Sequence, residues 1–357
     1  MKQIIHLITT IERGGAENQL VILAREQRKL GLKVQVVYLK GFPSLVREFE
    51  SMGVKVTRLV GNPLKQILGL RSILKHSNAD ALHAHLPRAE LIASFAIHKL
   101  PLIISRHNAE RFMPKGPAWL SRRLSRFVVR KSSGRIAISS GVNQFIESSD
   151  ESVPGYTFST VHYGYEFCRK KAVKKPDQIG PMRFIAIGRL VPQKDYETLI
   201  VAMSMLHKRN LNFRLTILGE GPLEAELKSL AKSLGVSHSI LWLGKVDNVF
   251  EYLLESDFFI LSSIYEGFGM VILEAIDAGV PIVCSNITTL EEILGTDYKG
   301  LFMVKSPESL CKTLLYASGH VSELLEQMEL KKKLFDSEAM TKSIIGIYEN
   351  ALLRFKG

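Results

Sequence analysis

Residues 258–285 read FFILSSIYEGFGMVILEAIDAGVPIVCS: an apolar run, a glycine-containing turn, a helical segment and a second apolar run. Short apolar runs of this kind predict β-strands. Between them, Ile272, Ala275 and Ile276 recur at helical spacing and form one face suited to packing on a sheet. The stretch therefore predicts a β–α–β unit of a doubly wound α/β fold.

The same alternation of strands and helices covers most of the chain and restarts once. Apolar runs such as IIHLITT, KVQVVYL and ALHAHL form a first series, and a second series begins with MRFIAIGRL after Pro181. Between them, RKKAVKKPDQIGP (169–181) is charged, contains proline and lacks apolar periodicity, which is typical of a linker. We predict α/β domains at 1–168 and 182–337 joined by a linker at 169–181. The last helix, from about Ser337 to Phe355, could pack on either domain.

Charge is distributed unevenly along the 357 residues. The net charge is +12, of which residues 1–172 carry +15 and residues 173–357 carry −3. A strongly basic first half predicts a phosphate-rich partner, which could be an anionic membrane surface, a nucleic acid or a phosphorylated substrate. With 46% hydrophobic residues and no low-complexity tract, the composition is that of a globular protein.

Targeting, membrane-spanning and disulfide features are weak in this sequence. Glu12 and Arg13 interrupt the first apolar run, which therefore predicts a strand and not a signal peptide. The most apolar later segment, residues 91–105, contains charged residues and a proline and cannot span a bilayer. Three cysteines, far apart and in no ligand spacing, predict reduced thiols in the cytosol and neither a disulfide nor a zinc site.

The Gly-Phe-Gly turn before the helix predicts an anion site. Glycine lets the backbone approach a ligand closely, and the free amides of Met270 and Val271 lie at the positive end of the helix dipole. Glu266 precedes the turn and Glu274 lies little more than one helical turn beyond it. Both could be solvated glutamates at a helix end, but their position on either side of a diphosphate site favours binding the hydroxyl groups of a nucleotide-sugar.

A second turn, in AIGRLVPQKDYETLI (186–200), also follows a predicted strand. Arg189 and Lys194 flank it before a helix capped near Asp195, so both cations could face one ligand and neutralise a leaving diphosphate. Taken singly, each is an ordinary surface charge. The chain contains no Asp-x-Asp triplet, the common way to hold a divalent cation on a nucleotide-sugar. The pattern therefore favours chemistry without a metal.

Several motifs resemble the retaining GT-B glycosyltransferases of family 4. GRLVPQKDYETLI, LGEGPLEAELKSLA, LWLGKVDNVFEYL and SSIYEGFGMVILEAIDAGVPIVCS match that family's successive signatures, and ERGGAENQL, ALHAHLPRAELIA and SRHN match its weaker amino-terminal ones. The resemblance implies two Rossmann-like domains facing across a cleft, with the carboxyl-terminal helix (338–357) returning to the first.

The resemblance also implies residue roles. Arg189 and Lys194 would bind the donor diphosphate, Glu274 the ribose, and Glu266 the transferred sugar. Further donor contacts would come from Gly14, Gly15, Gly267, Phe268, Gly269, Met270 and Val271. His85 would lie near the sugar and acceptor, His107 is a further candidate of the same kind, and Glu292 would lie near the nucleotide. The chain departs from the family at Tyr163, where asparagine is common, and at Glu291, which replaces a proline.

The implied reaction is retaining and metal-independent. It would move a hexose or N-acetylhexosamine from a nucleotide-diphosphate sugar to a hydroxyl of a lipid-linked or oligosaccharide acceptor, in bacterial cell-surface polysaccharide or glycolipid biosynthesis. No cofactor and no obligate protein partner are expected.

The segment 115–135 predicts an amphipathic basic helix. Leu120, Leu124, Phe127 and Val128 share one face, and the remaining surface carries Trp119, Arg122, Arg123, Arg126 and Arg130. Such a helix could lie in an anionic bilayer surface or pack on its own sheet with a solvated basic face. Because family members often use lipid-linked acceptors, we expect a cytoplasmic protein bound peripherally to the inner face of the membrane.

Other classes explain less of the sequence. A nucleic-acid-binding protein would account for the charge, but no recognisable binding module is present. A nicotinamide dehydrogenase would account for the topology, but TTIERGGAE is not Gly-x-Gly-x-x-Gly. A related GT-B epimerase or phosphorylase remains an alternative.

Overall fold

The structure, a computed structural model, describes residues 1–97, 99–167 and 180–356. The chain divides into two compact units, the first formed by Met1–Glu166 with Phe335–Gly357 and the second by Phe167–Leu334. Cys168 and residues 169–179 of the predicted linker lie outside the described residues. Each unit is built on a parallel sheet, which confirms the predicted α/β class.

In the described part of the first unit, seven parallel strands form one sheet in the order β3-β2-β1-β4-β5-β6-β7. The strands are β1 (Gln3–Ile8), β2 (Lys33–Tyr38), β3 (Lys55–Arg58), β4 (Ala81–His85), β5 (Leu102–Arg106), β6 (Gly134–Ala137) and β7 (Ser159–Thr160). The helices between them are α1 (Gly15–Lys29), α2 (Val46–Ser51), α3 (Pro63–Lys75), α4 (Pro87–Ala96), α5 (Ala118–Lys131) and α6 (Ser140–Ser148).

In the second unit, six parallel strands take the order β10-β9-β8-β11-β12-β13 within its described residues, a common order of doubly wound sheets. They are β8 (Met182–Ile187), β9 (Phe213–Leu218), β10 (Ile240–Gly244), β11 (Phe258–Leu261), β12 (Ile282–Ser285) and β13 (Leu301–Phe302). Their helices are α7 (Tyr196–Lys208), α8 (Glu224–Ser233), α9 (Val249–Leu254), α10 (Met270–Ala278), α11 (Thr288–Leu294), α12 (Pro307–Gly319) and α13 (Val321–Glu329).

The last helix, α14 (Ser337–Lys356), belongs to the first unit. It packs on α1, β5 and β6, and its Tyr348 is fully buried in the core of that unit. Burying a large aromatic side chain stabilises the folded state by roughly 1.5–3 kcal/mol. The apolar stripe predicted for this helix therefore covers the first sheet.

In each sheet the chain order reverses beside the first strand of the unit, so the loops that follow neighbouring strands meet at one edge. In the first unit these loops begin at Thr9, Leu86 and His107; in the second they begin at Gly188 and Ser262. These two edges carry the sites predicted from the sequence. Among the described residues, no helix is both long enough and apolar enough to cross a bilayer.

Candidate active site

Two loops of the second unit are joined into one surface by hydrogen bonds. The amide of Ile264 donates to the carbonyl of Gln193 at 2.8 Å, and the Gln193 side chain donates to the carbonyl of Tyr265 at 2.9 Å. The Ser262 hydroxyl donates to the carbonyl of Lys194 at 2.8 Å. The turn after β8 and the turn after β11 are thus held in a fixed relation.

Lys194 and Glu266 form an ion pair on this surface. Lys194 Nζ lies 2.5 Å from Glu266 Oε1, which also accepts from the Ser263 hydroxyl at 2.6 Å. Both side chains are largely buried, 15% and 7% exposed. The sequence assigned both residues to the donor site without predicting this contact. Arg189, on the same turn, is exposed.

Backbone geometry explains the turn after β8. Asp195 adopts a left-handed conformation (φ 46°) and caps α7, where its carboxylate accepts from the Thr198 hydroxyl at 2.7 Å. Nearby, a Cβ on Gly219 would lie only 2.0 Å from the carbonyl oxygen of Gly188. The loops after β8 and β9 therefore approach each other at Gly188 and Gly219, and only glycine fits at position 219.

The helix α10 begins as the sequence predicts. Gly269, with φ 83°, is its N-cap residue, and the amides of the first turn have no partner from an earlier helical turn. The carbonyl of Glu266 accepts from the Thr289 hydroxyl at 3.1 Å, which anchors the preceding loop. Phe268 is buried and contributes its side chain to the core. The start of α10 therefore offers free amides at a fixed position.

Glu274 lies one turn inside α10 and is mostly buried. Burial raises the pKa of its carboxyl above the usual range. Within the described residues its carboxylate has no hydrogen-bond or ion-pair partner. A buried polar group without a partner is costly, so this carboxylate suits a ligand that supplies hydroxyl groups. Glu292, on α11, is half-buried.

In the first unit, Gly14 is the N-cap of α1 and Gly15 its first residue. A Cβ on Gly14 would meet the Glu17 carboxylate at 2.5 Å, whereas one on Gly15 would meet no atom within 4 Å. The Thr10 hydroxyl donates to Glu17 at 2.5 Å, and burial raises the pKa of that carboxyl. The sequence did not single out Glu17.

His85 and His107 belong to a buried cluster of four histidines. His85 Nε2 lies 3.0 Å from His6 Nδ1, and His85 Nδ1 lies 3.2 Å from His107 Nε2. His107 Nδ1 is hydrogen-bonded to the Tyr163 hydroxyl. His83, on the same strand β4 as His85, completes the cluster, with its ring centroid 4.0 Å from that of His85. The predicted role of His85 stays a prediction, but both its ring nitrogens face other histidines.

Three of these rings are arranged closely enough to hold a metal ion. His6, His83 and His85 each offer one nitrogen, and these nitrogens lie within 4.8 Å of one another. Each ring nitrogen of the three already has a hydrogen-bond partner: His6 pairs with Gln27 and His85, and His83 with Tyr348 and Ser105. The hydrogen-bonding groups of these three rings are therefore all paired within the protein, and the cluster needs no metal ion to satisfy them.

A cavity of about 550 Å³ opens at the carboxyl edge of the first sheet. His107 lines it together with Thr9, whose hydroxyl is buried and has no hydrogen-bond partner among the described residues. Leu86 lines it with a positive φ of 73°, unusual for leucine and costing of order 1–3 kcal/mol. The rest of the wall includes Arg88, Leu91, Arg106, Arg111, Phe112, Met113 and Leu124. The cavity thus combines basic and apolar groups.

Arg106 fixes one wall of this cavity. Its Nε lies 2.8 Å from the buried Glu90 carboxylate, and its guanidinium stacks over the Phe112 ring, 4.7 Å from the centroid. The Glu151 carboxylate accepts from the amide of Phe112 at 3.0 Å. Burial raises the pKa of Glu90 to about 7, although Arg106 opposes the shift.

Helix α5 buries serines that the sequence analysis did not single out. Its buried positions are Ser121, Ser125, Val128 and Val129, whereas Leu120, Leu124 and Phe127 are only half-buried. The reason is polar: the Ser121 hydroxyl donates to Glu151 at 2.5 Å, which draws that side of the helix inward. Trp119 is 56% exposed, and Phe127 packs on the half-exposed Phe95 of α4, with ring centroids 5.0 Å apart.

The predicted residues gather at two edges. The second unit brings Arg189, Lys194, Glu266, the turn at Gly267–Gly269 and Glu274 to the carboxyl ends of β8 and β11. The first unit brings Gly14, Gly15, His85 and His107 to the carboxyl ends of its strands. Sequence reasoning did not identify Thr9 as a cavity residue or Gln27 as a partner of the histidine cluster, because neither belongs to a motif.

Two family models match the chain. Glycosyl transferases group 1 matches residues 169–330, and glycosyltransferase family 4 matches residues 13–150. Between them they take in most of both units.

Curated relatives and solved structures agree with these matches. An uncharacterized glycosyltransferase of Methanocaldococcus jannaschii is 38% identical over 127 residues, 35% of this chain and 32% of that protein. A Campylobacter jejuni α-1,4-N-acetylgalactosaminyltransferase, named for an acceptor on diphospho-undecaprenol, is 27% identical over 293 residues, 77% of each chain. The first curated relatives are matched over about a third to a half of their own length. Anabaena HepE, crystallised with UDP-glucose, has the same fold (TM-score 0.81, 18% identity, 97% of this chain and 99% of that chain covered).

Proposed function

The chain belongs to the family 4 glycosyltransferases of GT-B architecture, and from this premise we propose that it transfers a hexose or N-acetylhexosamine from a nucleotide-diphosphate sugar to a hydroxyl group with retention of the anomeric configuration. The observation that carries the proposal is the Lys194–Glu266 pair beside the start of α10. A cation, free helix amides and a carboxylate for hydroxyls are the groups that such a donor needs.

The donor would be held at both ends of its diphosphate. The amides of Met270 and Val271 would receive one phosphate, while Lys194 and the exposed Arg189 would neutralise the other. Glu274 would accept the hydroxyl hydrogen bonds of the ribose with its unpartnered carboxylate. Glu266 would contact the sugar. The relative crystallised with UDP-glucose supports a uridine nucleotide as the first donor to test.

Electrostatic stabilisation of the transition state would accelerate the reaction. As the bond to the sugar breaks, negative charge grows on the leaving diphosphate, and preorganised donors aimed at that charge lower the barrier. Glu266 is engaged by Lys194 and Ser263, which favours a binding role over that of a nucleophile. The leaving phosphate itself would take the acceptor proton, with front-side attack. Because two cations and the helix amides would neutralise the diphosphate, the proposed reaction needs no metal.

The cavity in the first unit supports a lipid-linked acceptor. Arg88, Arg111 and the buried Thr9 hydroxyl line this cavity and could bind phosphate oxygens. Leu86, Leu91 and Leu124 offer apolar contacts to the adjoining chain. An acceptor on a polyprenyl diphosphate, as in the name of the Campylobacter relative, has both chemistries. This assignment is consistent with a role in cell-surface polysaccharide or glycolipid synthesis.

Donor binding can be tested with a thermal-shift panel of UDP-, GDP- and ADP-sugars. A ligand present at one hundred times its Kd raises the free energy of unfolding by about 2.7 kcal/mol. We expect one nucleotide class to raise the melting temperature of the wild-type protein and to have little effect on Glu274→Ala. The exposed Glu226→Ala is the matched control and should respond as the wild type does. If none of the three nucleotide classes shifts the wild-type protein, the proposed donor site is wrong.

The exposed side of α5 supports a proposal of membrane association. Phe95 and Phe127 are in contact and Trp119 is exposed at the start of α5. Arg122, Arg123 and Arg130 are exposed on the same helix. Exposed leucines of α3, which packs beside α4, extend the apolar area. An apolar surface with basic neighbours suits an anionic bilayer. We therefore propose peripheral association with the inner face of the cytoplasmic membrane.

Liposome flotation tests this association. The wild-type protein should float with vesicles that contain anionic lipid and remain behind with neutral vesicles, because each basic residue near the surface contributes about 1 kcal/mol. Replacing Arg122 and Arg123 by glutamate should abolish flotation. The same change at the exposed Lys55 and Lys75 should not. Equal flotation with neutral and anionic vesicles, or none with either, would count against the proposed surface.

A further inference from the structure

Four buried histidines in the first unit belong to one hydrogen-bonded network, in which three of them form a continuous chain and His83 lies on a second branch. From one end, Gln27 of α1 contacts His6 (2.8 Å), His6 contacts His85 (3.0 Å) and His85 contacts His107 (3.2 Å). His107 ends the chain at the Tyr163 hydroxyl. The chain therefore runs from the interior of the unit to the wall of the 550 Å³ cavity, which His107 lines.

The protonation state of these rings is set by burial. Burial lowers the pKa of His6 to about 4 and that of His107 to about 3. The pKa values of His83 and His85 are lowered well below the usual range, first by burial and then by the neighbouring rings. Each ring is therefore neutral near pH 7, with one nitrogen that donates and one that accepts.

The amide oxygen of Gln27 gives the chain its direction. Because Gln27 Oε1 can only accept, His6 carries its proton on Nε2, and its Nδ1 must accept from His85 Nε2. By the same reasoning His85 Nδ1 accepts from His107 Nε2, and His107 Nδ1 accepts from the Tyr163 hydroxyl. Burial raises the pKa of Tyr163, which keeps this phenol protonated as a donor.

The second branch from Gln27 agrees with this direction. Gln27 Nε2 donates to the Tyr348 hydroxyl of α14 at 3.3 Å. Tyr348 donates to His83 Nδ1 and His83 Nε2 donates to the Ser105 hydroxyl, both at 2.7 Å. One amide therefore orients both branches, and every ring nitrogen of the four histidines has a partner.

We propose that Gln27 is a positioning residue that sets the tautomer of His107 through His6 and His85, and that Tyr163 caps the remaining nitrogen. His107 then presents a neutral ring to the cavity and exchanges no proton with a molecule bound there. That His107 does not act as a catalytic base toward the acceptor rests on the proposed function, which assigns the cavity to the acceptor. It agrees with a reaction in which the leaving phosphate takes the acceptor proton.

The test is ¹⁵N NMR of histidine-labelled protein at pH 7. In the wild type, His107 should carry its proton on Nε2 and show an unprotonated Nδ1. Gln27→Met removes the acceptor of the His6 N–H, and buried N–H groups are rarely left unpaired. The chain should then reverse, so that His107 carries its proton on Nδ1 although residue 27 does not touch it. Gln27→Glu retains an acceptor and should leave His107 in its wild-type tautomer.

The proposal is overturned if His107 keeps its Nε2 proton in Gln27→Met, or if wild-type His107 carries the proton on Nδ1. Should Gln27→Met fail to fold, ¹⁵N–¹⁵N couplings across the hydrogen bonds of the wild type decide the matter. We expect couplings from His107 Nε2 to His85 Nδ1 and from His85 Nε2 to His6 Nδ1; protons on the opposite partners would overturn the direction. The sample contains neither donor nor acceptor, so the result is independent of the proposed activity.

Discussion

Replacing Lys194 by alanine should lower sugar-transfer turnover about 100- to 1,000-fold, as expected when one preorganised group that stabilises transition-state charge is removed. Lys194 Nζ lies 2.5 Å from Glu266, and the carbonyl of Lys194 is fixed by the Ser262 hydroxyl. The ammonium is therefore held in position before any donor binds. Turnover is measured as release of nucleoside diphosphate at saturating donor.

Folding must be separated from catalysis in this experiment. Removing Lys194 leaves Glu266 with the Ser263 hydroxyl as its partner, which should cost about 1–3 kcal/mol of stability, too little to unfold a typical domain. Lys208→Ala, an exposed change on α7, is the matched control and should keep wild-type turnover. Near-normal turnover by folded Lys194→Ala would eliminate the proposed role of this residue.

Acid should destabilise the first unit through its buried histidines. Burial lowers the pKa values of these histidines in the folded unit. Below pH 6.5 they are therefore protonated in the unfolded chain but remain neutral in the folded unit. The histidines therefore do not lower the free energy of unfolding above pH 6.5. As the pH falls from 6.5 toward 4, this free energy decreases by up to about 1.4 kcal/mol per pH unit for each histidine. A change of several kcal/mol exceeds the other stability effects predicted for this protein.

The effect can be isolated by comparing urea unfolding at pH 7.5 and pH 5.5. Glu90 acts in the opposite direction, since its raised pKa favours the folded state as the pH falls from about 7 to 4.5. The difference between wild type and His6→Gln cancels that contribution. His6→Gln should lose less stability in acid by roughly 1 kcal/mol, whereas His76→Gln, at an exposed position of the same unit, should match the wild type. An equal acid effect in wild type and His6→Gln would disprove the histidine origin.

Local sequence predicted the elements that carry the proposed donor site. Apolar runs marked the strands β8 and β11, and Gly269 marked the start of α10, because glycine can adopt the left-handed conformation found there. The cap at Asp195 was predicted for a related reason, since a short acidic side chain can accept the first amides of a helix. Each of these features is determined by residues that are close together in the sequence.

Contacts between distant residues were not predictable in the same way. Lys194 and Glu266 are 72 residues apart, and Gln27 and Tyr348 are 321 apart. Periodicity assigns a residue to a face but not to a partner on another element. Helix α5 illustrates the limit: the sequence grouped its apolar positions on one face, but it could not show that Ser121 is drawn inward by a glutamate 30 residues away. The histidine chain was missed for the same reason.

The most direct test of the account is release of nucleoside diphosphate by the wild-type protein. The protein is incubated with UDP-, GDP- or ADP-hexoses, each with and without a polyprenyl-diphosphate-linked saccharide. We expect one donor to be consumed with the acceptor present, with one nucleoside diphosphate released for each sugar added to the lipid-linked product. An epimerase would convert the donor sugar without lengthening the acceptor, and a phosphorylase would require inorganic phosphate. Either of these results, or no consumption of any donor, would contradict the proposed transferase.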